Sequence, residues 1–493
     1  MRVLSIDIGT TNIKLSLVDI SIEDYQIRFV ESINVDQMFI KNEIGSSEHI
    51  PQYILSTVNK GIKHIVKSYG APEAVVLATY LFGLALMNRS KGFLTNIYTW
   101  ADERAIEVVK EIKEHGVELY RRTGCPPIHI YALPKILWLR KHRKEVIYEA
   151  DLYLDLKSIL TNHFLHRAVT DMSSASGTYQ MFNIYSLRWD DYALGVAGVD
   201  ERMLPEVVEA DYVEYIPLGI AAELNIYDKI PLVIGLFDGA SMIYGLTGGG
   251  SNIAVANLGT SAMIRTVIEK PIIDNINMMR FQTYYFYREK WLSGGAINNA
   301  GIALNTFIDI LASGLEVDKQ RLFNDLYNYR FNEDRKPLFL PLIYSERIPF
   351  LKTDIGGSII GLKPDVKAID IVASCIEGIA MLLKVIWEAL EDNDISIDDV
   401  RIGGKLSSIP FVRVMLANLF NRKTIWTDIV DVSHLGNVLL AATSLRYSSA
   451  KQIRDFIDYV IAKNFIIPEK KYVEKYRERY QIFKKYLYSL YSS

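Results

Sequence analysis

Two short segments of the sequence place a polar residue, a glycine and hydroxyl residues directly after an apolar run. Residues 4–14 contain Asp7-Ile8-Gly9-Thr10-Thr11, and residues 253–265 contain Asn257-Leu258-Gly259-Thr260-Ser261. Glycine lets backbone N–H groups approach an anion closely, and the hydroxyls add further donors. Each segment predicts a strand, a phosphate-binding turn and a second strand. Because the copies stand about half a chain apart, they predict a duplicated fold that holds one polyphosphate from both sides, in a cleft between two domains.

Two aspartates stand where a carboxylate could serve phosphate chemistry. Asp7 ends the first apolar run, where an unpaired carboxylate would be costly. Mg²⁺ prefers one or two carboxylates together with phosphate oxygens and waters, so Asp7 is the predicted metal anchor. The alternative is a carboxylate that accepts hydrogen bonds from turn N–H groups. Asp238 follows the apolar run 231–236. It is either a helix N-cap or the base that accepts the proton of an attacking hydroxyl in phosphoryl transfer.

Three further segments carry polar or small residues at predicted element ends. Residues 294–301 (GGAINNAG) and 403–408 (GGKLSS) follow predicted strands and precede helices, where backbone N–H groups point outward. Residues 99–104 (TWADER) combine an aromatic ring, an acid and a guanidinium near a helix start. Such a set can hold a polyol or sugar, with Trp100 as a platform. The alternative is a charged helix cap with one buried tryptophan.

Strands and helices alternate in both halves of the chain, which favours an α/β architecture with duplicated lobes. Gly248-Gly249-Gly250 is the expected boundary. We therefore predict a first lobe over residues 1–248, a second over 249–447 and a C-terminal helical tail over 448–493. The patterns also predict helices over 50–69, with Ser46 or Ser47 as caps, over 102–116 and over 150–162, and a loop with a short strand over 167–185.

Composition narrows the class of protein. The chain has 493 residues, a net charge of −3 and no evident basic patch, so a nucleic-acid partner is not expected. The two cysteines lie far apart in the sequence and form neither a disulfide framework nor a metal pattern. The apolar stretch 369–390 carries four charged residues and fits a buried helix better than a membrane span. We expect a cytoplasmic protein. Its Tyr-rich terminal helix packs on its own lobe, the commoner outcome, or on a second copy in a homodimer.

Five segments, in order, resemble those of the FGGY carbohydrate kinases along nearly the whole chain. Residues 7–11 resemble the first phosphate motif, residues 235–239 (GLFDG) the segment with the catalytic aspartate, and residues 257–261 the second phosphate motif. Residues 403–408 resemble the adenosine motif, and residues 433–436 (SHLG) the family's later small-residue helix. The resemblance implies two actin-like (ribonuclease H-like) α/β lobes, with ATP and Mg²⁺ between them and closure on the substrate.

Within the family, residues 95–104, 294–299 and 341–349 are similar to segments of the gluconokinase branch. This similarity implies ATP-dependent phosphorylation of the terminal hydroxyl of a sugar acid or sugar, with D-gluconate to 6-phosphogluconate as the expected reaction. One alternative is a kinase of another acceptor, such as xylulose, glycerol or another polyol or sugar acid. A second alternative is an actin-like ATPase without a sugar substrate, against which the segments around Asp238 and Trp100 argue.

The resemblance also implies roles for individual residues by their motif positions. Asp238 takes the hydroxyl proton, and Asp7 holds Mg²⁺, partly through water. The nucleotide-binding set is Gly9, Thr10, Thr11, Lys14, Gly259, Thr260, Ser261, Gly295, Gly301, Asn305, Gly404 and Ser408. The acceptor pocket or its support is assigned to Tyr80, Leu81, Phe82, Trp100, Asp102 and Arg104.

The chain departs from many relatives in one part of this acceptor set. Residues 80–82 read Tyr-Leu-Phe where those relatives carry a Met-His or Arg-Glu pair, which removes an expected polar contact. Arg104 is a candidate partner for a substrate carboxylate, because a guanidinium can bind one bidentately.

Overall fold

The structure, a computed structural model, describes residues 1–315, 319–329, 337–346, 349, 356–429 and 431–492. The strands of the first half are β1 (Arg2–Ile8), β2 (Asn12–Ser21), β3 (Gln26–Asp36), β4 (Phe39–Ile40), β5 (Glu48–His49), β6 (Ala74–Thr79), β7 (Ala85–Asn88), β8 (Gly92–Phe93), β9 (Ile97–Tyr98), β10 (Leu152–Leu154), β11 (Val169–Asp171), β12 (Phe182–Asn183), β13 (Arg188–Trp189), β14 (Glu206–Val208), β15 (Val213–Tyr215) and β16 (Pro231–Val233). The helices are α1 (Pro51–Tyr69), α2 (Val109–Glu114), α3 (Gly116–Thr123), α4 (Ala132–His142), α5 (Lys144–Glu149), α6 (Leu156–Leu165), α7 (Met172–Tyr179), α8 (Asp191–Ala197), α9 (Leu218–Glu223) and α10 (Asp238–Thr247).

The second half follows the same alternation. Its strands are β17 (Ile253–Leu258), β18 (Ala262–Ile268), β19 (Gln282–Tyr285), β20 (Trp291–Ile297), β21 (Leu338–Leu340), β22 (Ser358–Ile360), β23 (Asp399–Gly403), β24 (Lys423–Trp426) and β25 (Asn464–Ile466). The helices are α11 (Gly301–Leu315), α12 (Lys319–Tyr327), α13 (Ala368–Glu391), α14 (Pro410–Phe420), α15 (Val432–Ser444), α16 (Ala450–Ile461) and α17 (Lys470–Ser492).

The two large sheets are built alike. The first has the order β15-β16-β6-β1-β2-β3, and the second has the order β19-β20-β18-β17-β23-β24-β25. In each sheet an antiparallel hairpin, β1–β2 or β17–β18, lies beside a parallel strand, β6 or β23. Because the two phosphate turns join the strands of these two hairpins, both turns lie at corresponding sheet edges. The predicted α/β duplication is confirmed.

Burial explains why the central strands read as apolar runs. β1 lies between β2 and β6, and its apolar side chains are fully buried. β17 holds the corresponding place in the second sheet and is almost as buried. Central strands covered on both faces are typically continuous apolar runs. The polar residues Asp7 and Asn257 therefore stand out at the ends of two buried strands.

The two lobes meet where α10 crosses α15. A side chain on Gly436 would overlap the carbonyl oxygen of Ser241, and one on Gly245 would begin 2.5 Å from that of Val432. Only glycine permits this approach of two helix backbones. The close crossing packs the middle and end of α10, the helix that begins with Asp238, against the start of α15.

Three predicted elements are wrong in detail. Residues 102–116 form a 3₁₀ turn (Arg104–Val108), α2 and the start of α3, because Gly116 packs its backbone on Pro127. Residues 150–162 begin with β10, which pairs with β7, before Asp155 caps α6 through the Ser158 N–H. The Ser-rich stretch 172–179 is the buried helix α7, capped by Asp171.

The remaining element predictions can be compared briefly. α1 begins after Ile50 without a side-chain cap, so Ser46 and Ser47 do not cap it. α13 is buried, as predicted for 369–390. The terminal helix α17 packs on its own chain, where Arg479 binds Glu377 at 2.6 Å. None of the helices in the described ranges has the length and apolar character needed to span a membrane.

Candidate active site

Asp7 lies at the end of β1 and is 7 % exposed. Its Oδ2 accepts a 2.6 Å hydrogen bond from Ser433 Oγ, at the start of α15. Its Oδ1 is buried and has no hydrogen-bond partner among the described residues. A buried carboxylate oxygen without a partner is unfavourable, so this atom fits a cation that the protein itself does not supply. The sequence analysis included Ser433 in segment 433–436, which resembles a family motif, but did not predict its contact with Asp7.

Asp238 is the first residue of α10 and follows Phe237, the helix N-cap residue. It is therefore not the N-cap residue. Its carboxylate makes a local hydrogen bond, in which Oδ1 accepts the Gly239 N–H at 2.7 Å. Burial, and secondly the negative charge of Asp7, raises the pKa of the Asp238 carboxyl to about 7. The two carboxylates are thus close enough for the charge of Asp7 to act on Asp238.

Lys157 is a positioning residue that the sequence analysis missed. It lies in α6, is fully buried, and its Nζ donates to the carbonyls of Leu77, Ile234, Gly235 and Leu236 at 2.8–3.2 Å. Asp171 lies 3.4 Å from the same nitrogen. These bonds tie the end of β6 to the segment directly before Asp238. One signal was available, since Lys157 is the single cationic residue of the largely apolar run 152–160.

The first phosphate turn joins β1 to β2. The Gly9 N–H donates to the Asn12 carbonyl at 2.9 Å. Thr10 Oγ1 accepts a 3.0 Å hydrogen bond from Trp100 Nε1, while Thr11 is exposed. Lys14 Nζ binds Asp431 Oδ1 at 2.9 Å. Lys14 therefore links β2 to the residue before α15, across the lobe boundary.

The second phosphate turn collects residues from three segments. Gly301, at the start of α11, donates its N–H to the Gly259 carbonyl at 3.0 Å, and Ile302 donates to the Thr260 carbonyl at 3.0 Å. Gly404 has a φ of 86°, and a side chain there would begin 2.5 Å from Asn257 Oδ1. The structure thus brings the second turn, the start of α11 and the predicted adenosine motif together.

The remaining residues of the predicted nucleotide-binding set differ in their positions and exposure. Ser261 follows Thr260 in the same turn, and its carbonyl accepts the Gly259 N–H at 3.0 Å. Asn305 on α11 and Ser408 in the 3₁₀ turn Lys405–Ser408 are both exposed. Gly295 is different. It lies inside β20, where a side chain would begin 3.1 Å from Ile386 of α13, so it serves the core of the second lobe.

Two segments that the sequence presents separately form one unit. Glu346 is buried, and its carboxylate accepts the backbone N–H groups of Asn298 and Asn299 at 2.8 and 2.7 Å. Asn299 and Tyr344 exchange two hydrogen bonds of 2.7 Å. Segment 341–346 therefore fixes the loop that leads into α11. Arg347 and Ile348 of the same motif lie outside the described residues.

Residues 80–82 lie beside Asp238 and are buried. The negative charge of Asp238, after burial, contributes to the raised pKa of Tyr80, whose hydroxyl also contacts His49 Nδ1 at 2.9 Å. Leu81 packs on Gly177. Phe82 has a φ of 71°, uncommon for a bulky residue, and Lys135 Nζ holds its carbonyl at 2.5 Å. Backbone strain of this kind clusters at functional sites.

Asp102 and Arg104 form a supporting ion-pair cluster. Arg104 Nη2 binds Asp102 at 2.6 Å and Glu48 at 2.5 Å, and Nη1 binds Glu43 at 3.3 Å. Asp102 also accepts the Ser47 N–H at 3.0 Å. Because three carboxylates already surround Arg104, the structure does not favour its predicted contact with a substrate carboxylate. The cluster instead supports the neighbouring Trp100, which donates to the first phosphate turn.

The arrangement suits transfer of a phosphoryl group to a hydroxyl. Phosphoryl transfer needs mainly alignment, charge stabilisation and a group that receives the proton. Two turns rich in N–H and hydroxyl donors face one junction, Asp238 is a carboxylate poised near neutral pH, and Asp7 offers an unsatisfied oxygen. This defines the class of protein as a two-lobed phosphotransferase.

Comparisons with known proteins give the family. Residues 2–245 match the N-terminal domain of the FGGY family of carbohydrate kinases, and residues 254–445 match its C-terminal domain. The chain belongs to the FGGY family of carbohydrate kinases. It is an ATP-dependent carbohydrate kinase with a ribonuclease H-like, actin-like fold.

Similar proteins include kinases that are named for different acceptors. A gluconokinase of Bacillus subtilis strain 168 is 29 % identical over 452 residues, which cover 89 % of this chain and 86 % of the relative. A crystal structure of gluconate kinase from Lactobacillus acidophilus has a TM-score of 0.90 at 25 % identity and covers 100 % of this chain and 98 % of that one. A ligand-bound xylulose kinase from Lactobacillus acidophilus has a TM-score of 0.91 at 25 % identity, covering 100 % and 99 %.

Proposed function

We propose that this enzyme transfers the γ-phosphoryl group of ATP to the terminal hydroxyl of a sugar acid, with D-gluconate as the acceptor and 6-phosphogluconate as the product. The observation that carries the proposal is the position of Asp238 beside Asp7 at the lobe junction, with a carboxyl pKa of about 7. The similarity to gluconokinases supports the choice of acceptor.

Asp238 acts as the general base. Its carboxylate accepts the proton of the acceptor hydroxyl while that oxygen bonds to the γ-phosphorus, and the bond from phosphorus to the bridging oxygen breaks to release ADP. A carboxyl group with a pKa near 7 is matched to this task, because both its protonated and ionised forms are accessible near neutral pH. Lys157 keeps the segment before Asp238 in place through three consecutive carbonyls.

The two turns hold the triphosphate. Thr11 and Thr260 are exposed at the tips of the turns, where phosphate oxygens can reach them. The Thr11 hydroxyl donates to Asn12 Oδ1 at 3.0 Å and would exchange this partner for a phosphate oxygen. Trp100 fixes Thr10 by its indole N–H. Gly404 and Gly301 keep the second turn close to the segments assigned to the nucleotide.

Asp7 is the residue that would hold Mg²⁺. Its orphaned Oδ1 fits such a cation, and Ser433 orients the carboxylate through Oδ2. No cluster of three or more His, Cys, Asp or Glu side chains in the described part of the chain forms a metal site by itself. One carboxylate completed by phosphate oxygens and waters is a common Mg²⁺ environment. When bound, the ion neutralises charge on the phosphates.

The proposal is tested by measuring ADP release with a panel of acceptors. D-Gluconate, xylulose and glycerol are supplied at equal concentrations with ATP and Mg²⁺. We expect the highest kcat/KM with gluconate. A preference for xylulose or glycerol would identify another acceptor on the same fold. ATP hydrolysis indifferent to every acceptor would favour an actin-like ATPase. The domain boundary at 248–250, the cytoplasmic location and the homodimer stay predictions.

A further inference from the structure

Arg265 is a buried guanidinium without an acidic partner. It lies in β18, is 5 % exposed, and its Nη1 has no hydrogen-bond partner among the described residues. Its Nη2 donates to the neutral Gln282 Oε1 at 2.9 Å, and its Cζ lies 4.7 Å from the centre of the Tyr284 ring. Burial of an unpaired charge costs more than a cation–π contact offsets. The environment of Arg265 is therefore incomplete for a cation.

Other largely buried arginines of the described chain each have a carboxylate partner. Arg104 binds Asp102 and Glu48, Arg401 lies 3.2 Å from Asp458, and Arg479 binds Glu377. Within the described residues, no carboxylate lies within 4.0 Å of Arg265, although Asp and Glu side chains surround its counterparts. Arg265 therefore lacks the counter-charge that these three arginines have.

The position of Arg265 connects it to the catalytic residue. β18 starts directly after the second phosphate turn, and Met263 and Arg265 share one face of this strand because side chains alternate. The Met263 sulfur lies 4.0 Å from the point where a side chain on Gly239 would begin. Met263 therefore lies next to the residue that follows Asp238, and Arg265 is the next side chain along the same face.

A second path leads from the acceptor segment to the same guanidinium. Phe82 packs edge-to-face on Tyr131 at 5.5 Å, and the Tyr131 hydroxyl contacts the Tyr284 hydroxyl at 2.9 Å. Arg265 lies over the ring of this same Tyr284. On the neighbouring strand β20, Gly294 packs closely against Arg265, because a side chain there would begin 3.0 Å from Arg265 Cγ and only glycine allows this approach.

From this geometry we propose that Arg265 binds the carboxylate of the acceptor, at the end of the molecule away from the hydroxyl that meets Asp238. This assignment rests on the proposed function and names the residue that selects a sugar acid over a neutral sugar or polyol. A planar guanidinium matches a carboxylate with two parallel hydrogen bonds. The carboxylate supplies the charge partner that the protein omits, and Met263 lines the path between the two ends.

The test compares D-gluconate with glucitol, a neutral polyol of the same chain length. In Arg265→Gln we expect kcat/KM for gluconate to fall about 100-fold, mainly through KM, because a charge-assisted pair is lost. The ratio of kcat/KM values for gluconate and glucitol should fall with it. Arg265→Lys keeps the charge without the planar fork, so about a tenfold fall is expected.

Arg401→Gln is the matched control, because Arg401 is equally buried and lies on β23 of the same sheet. It should lower stability and leave the gluconate-to-glucitol ratio unchanged. Binding is measured independently by thermal unfolding without ATP. Gluconate should raise the Tm of the wild type and should raise that of Arg265→Lys by a smaller amount. It should leave the Tm of Arg265→Gln unchanged.

The outcomes separate this assignment from the proposed function. If the wild type prefers gluconate and Arg265→Gln retains that preference, Arg265 does not bind the carboxylate. If Arg265→Gln instead raises the KM for ATP equally with both acceptors, the guanidinium serves the nucleotide and the assignment is overturned. If the wild type turns over glucitol as well as gluconate, the proposed sugar-acid specificity fails, and the carboxylate site fails with it.

Discussion

Ser433 donates a 2.6 Å hydrogen bond to Oδ2 of Asp7, although the two residues stand 426 positions apart in the chain. The bond joins the start of α15, which follows β24 of the second sheet, to the end of β1 in the first. It fixes one oxygen of the carboxylate and leaves the other without a partner. The lobe junction thus orients the proposed metal anchor.

Ser433→Ala should weaken the response to Mg²⁺. Loss of the hydroxyl frees the Asp7 carboxylate to rotate, and removing the partner of a metal ligand typically lowers metal affinity about 10–100-fold. The concentration of Mg²⁺ that gives half-maximal activity should rise accordingly. Ser444→Ala on the same helix is the control, because the Ser444 hydroxyl donates to the Leu440 carbonyl of its own helix. An unchanged Mg²⁺ response in Ser433→Ala would separate this bond from metal binding.

The pH profile should carry the signature of Asp238. Its pKa is raised to about 7 by burial and by Asp7, so below that pH the carboxyl is protonated and cannot accept the hydroxyl proton. We expect kcat/KM for the acceptor to fall about tenfold per pH unit below pH 7 and to level off above it. An acid limb near pH 4, the ordinary range of an aspartate, would contradict this environment for Asp238.

Lys157→Met should destabilise the first lobe. The substitution removes the cationic partner of Asp171 and the donor to several buried carbonyls, and breaking a buried ion pair from one side costs about 3–5 kcal/mol. Denaturant unfolding measures the loss. Lys91→Met is the control, because the ion pair of Lys91 with Glu149 is exposed and should contribute less than about 1 kcal/mol. Equal losses in both variants would show that the buried contacts of Lys157 add nothing specific.

Idle ATP hydrolysis should be slow. Closure of the two lobes on a cognate acceptor excludes water from the γ-phosphate, so ADP release without acceptor should be at least about tenfold slower than with it. The comparison needs one preparation, with and without saturating gluconate. A rate of ATP hydrolysis per protein molecule that rises with protein concentration and does not depend on the acceptor would instead indicate an assembling ATPase.

Features with a local physical cause were predictable from the sequence. The glycine–hydroxyl turns, their flanking strands and the position of Asp238 after a buried strand follow from short-range patterns of apolar residues and glycines. Helix α7 was missed, because its serines have low helix propensity, and the cap from Asp171 together with complete burial overrides that propensity. The break between α2 and α3 depends on the packing of Gly116 against Pro127.

Features that depend on distant partners could not be predicted. Arg104 reads as a free guanidinium until the fold brings Glu43 and Glu48 to it. Arg265 reads as an ordinary polar residue of a strand, and only the structure reveals that it is buried without a carboxylate. Burial of long cationic side chains is a property of the tertiary fold, which spacing alone does not record.

The central claim is that Asp238 receives the acceptor proton at the lobe junction, and Asp238→Asn tests it most directly. The amide has nearly the same shape and can still accept the Gly239 N–H, but it cannot take up the proton. Acceptor-dependent ADP release and ATP binding are measured on the same folded variant. We predict that turnover falls about 100-fold or more while ATP affinity stays near that of the wild type. Near-normal turnover in Asp238→Asn would contradict the account.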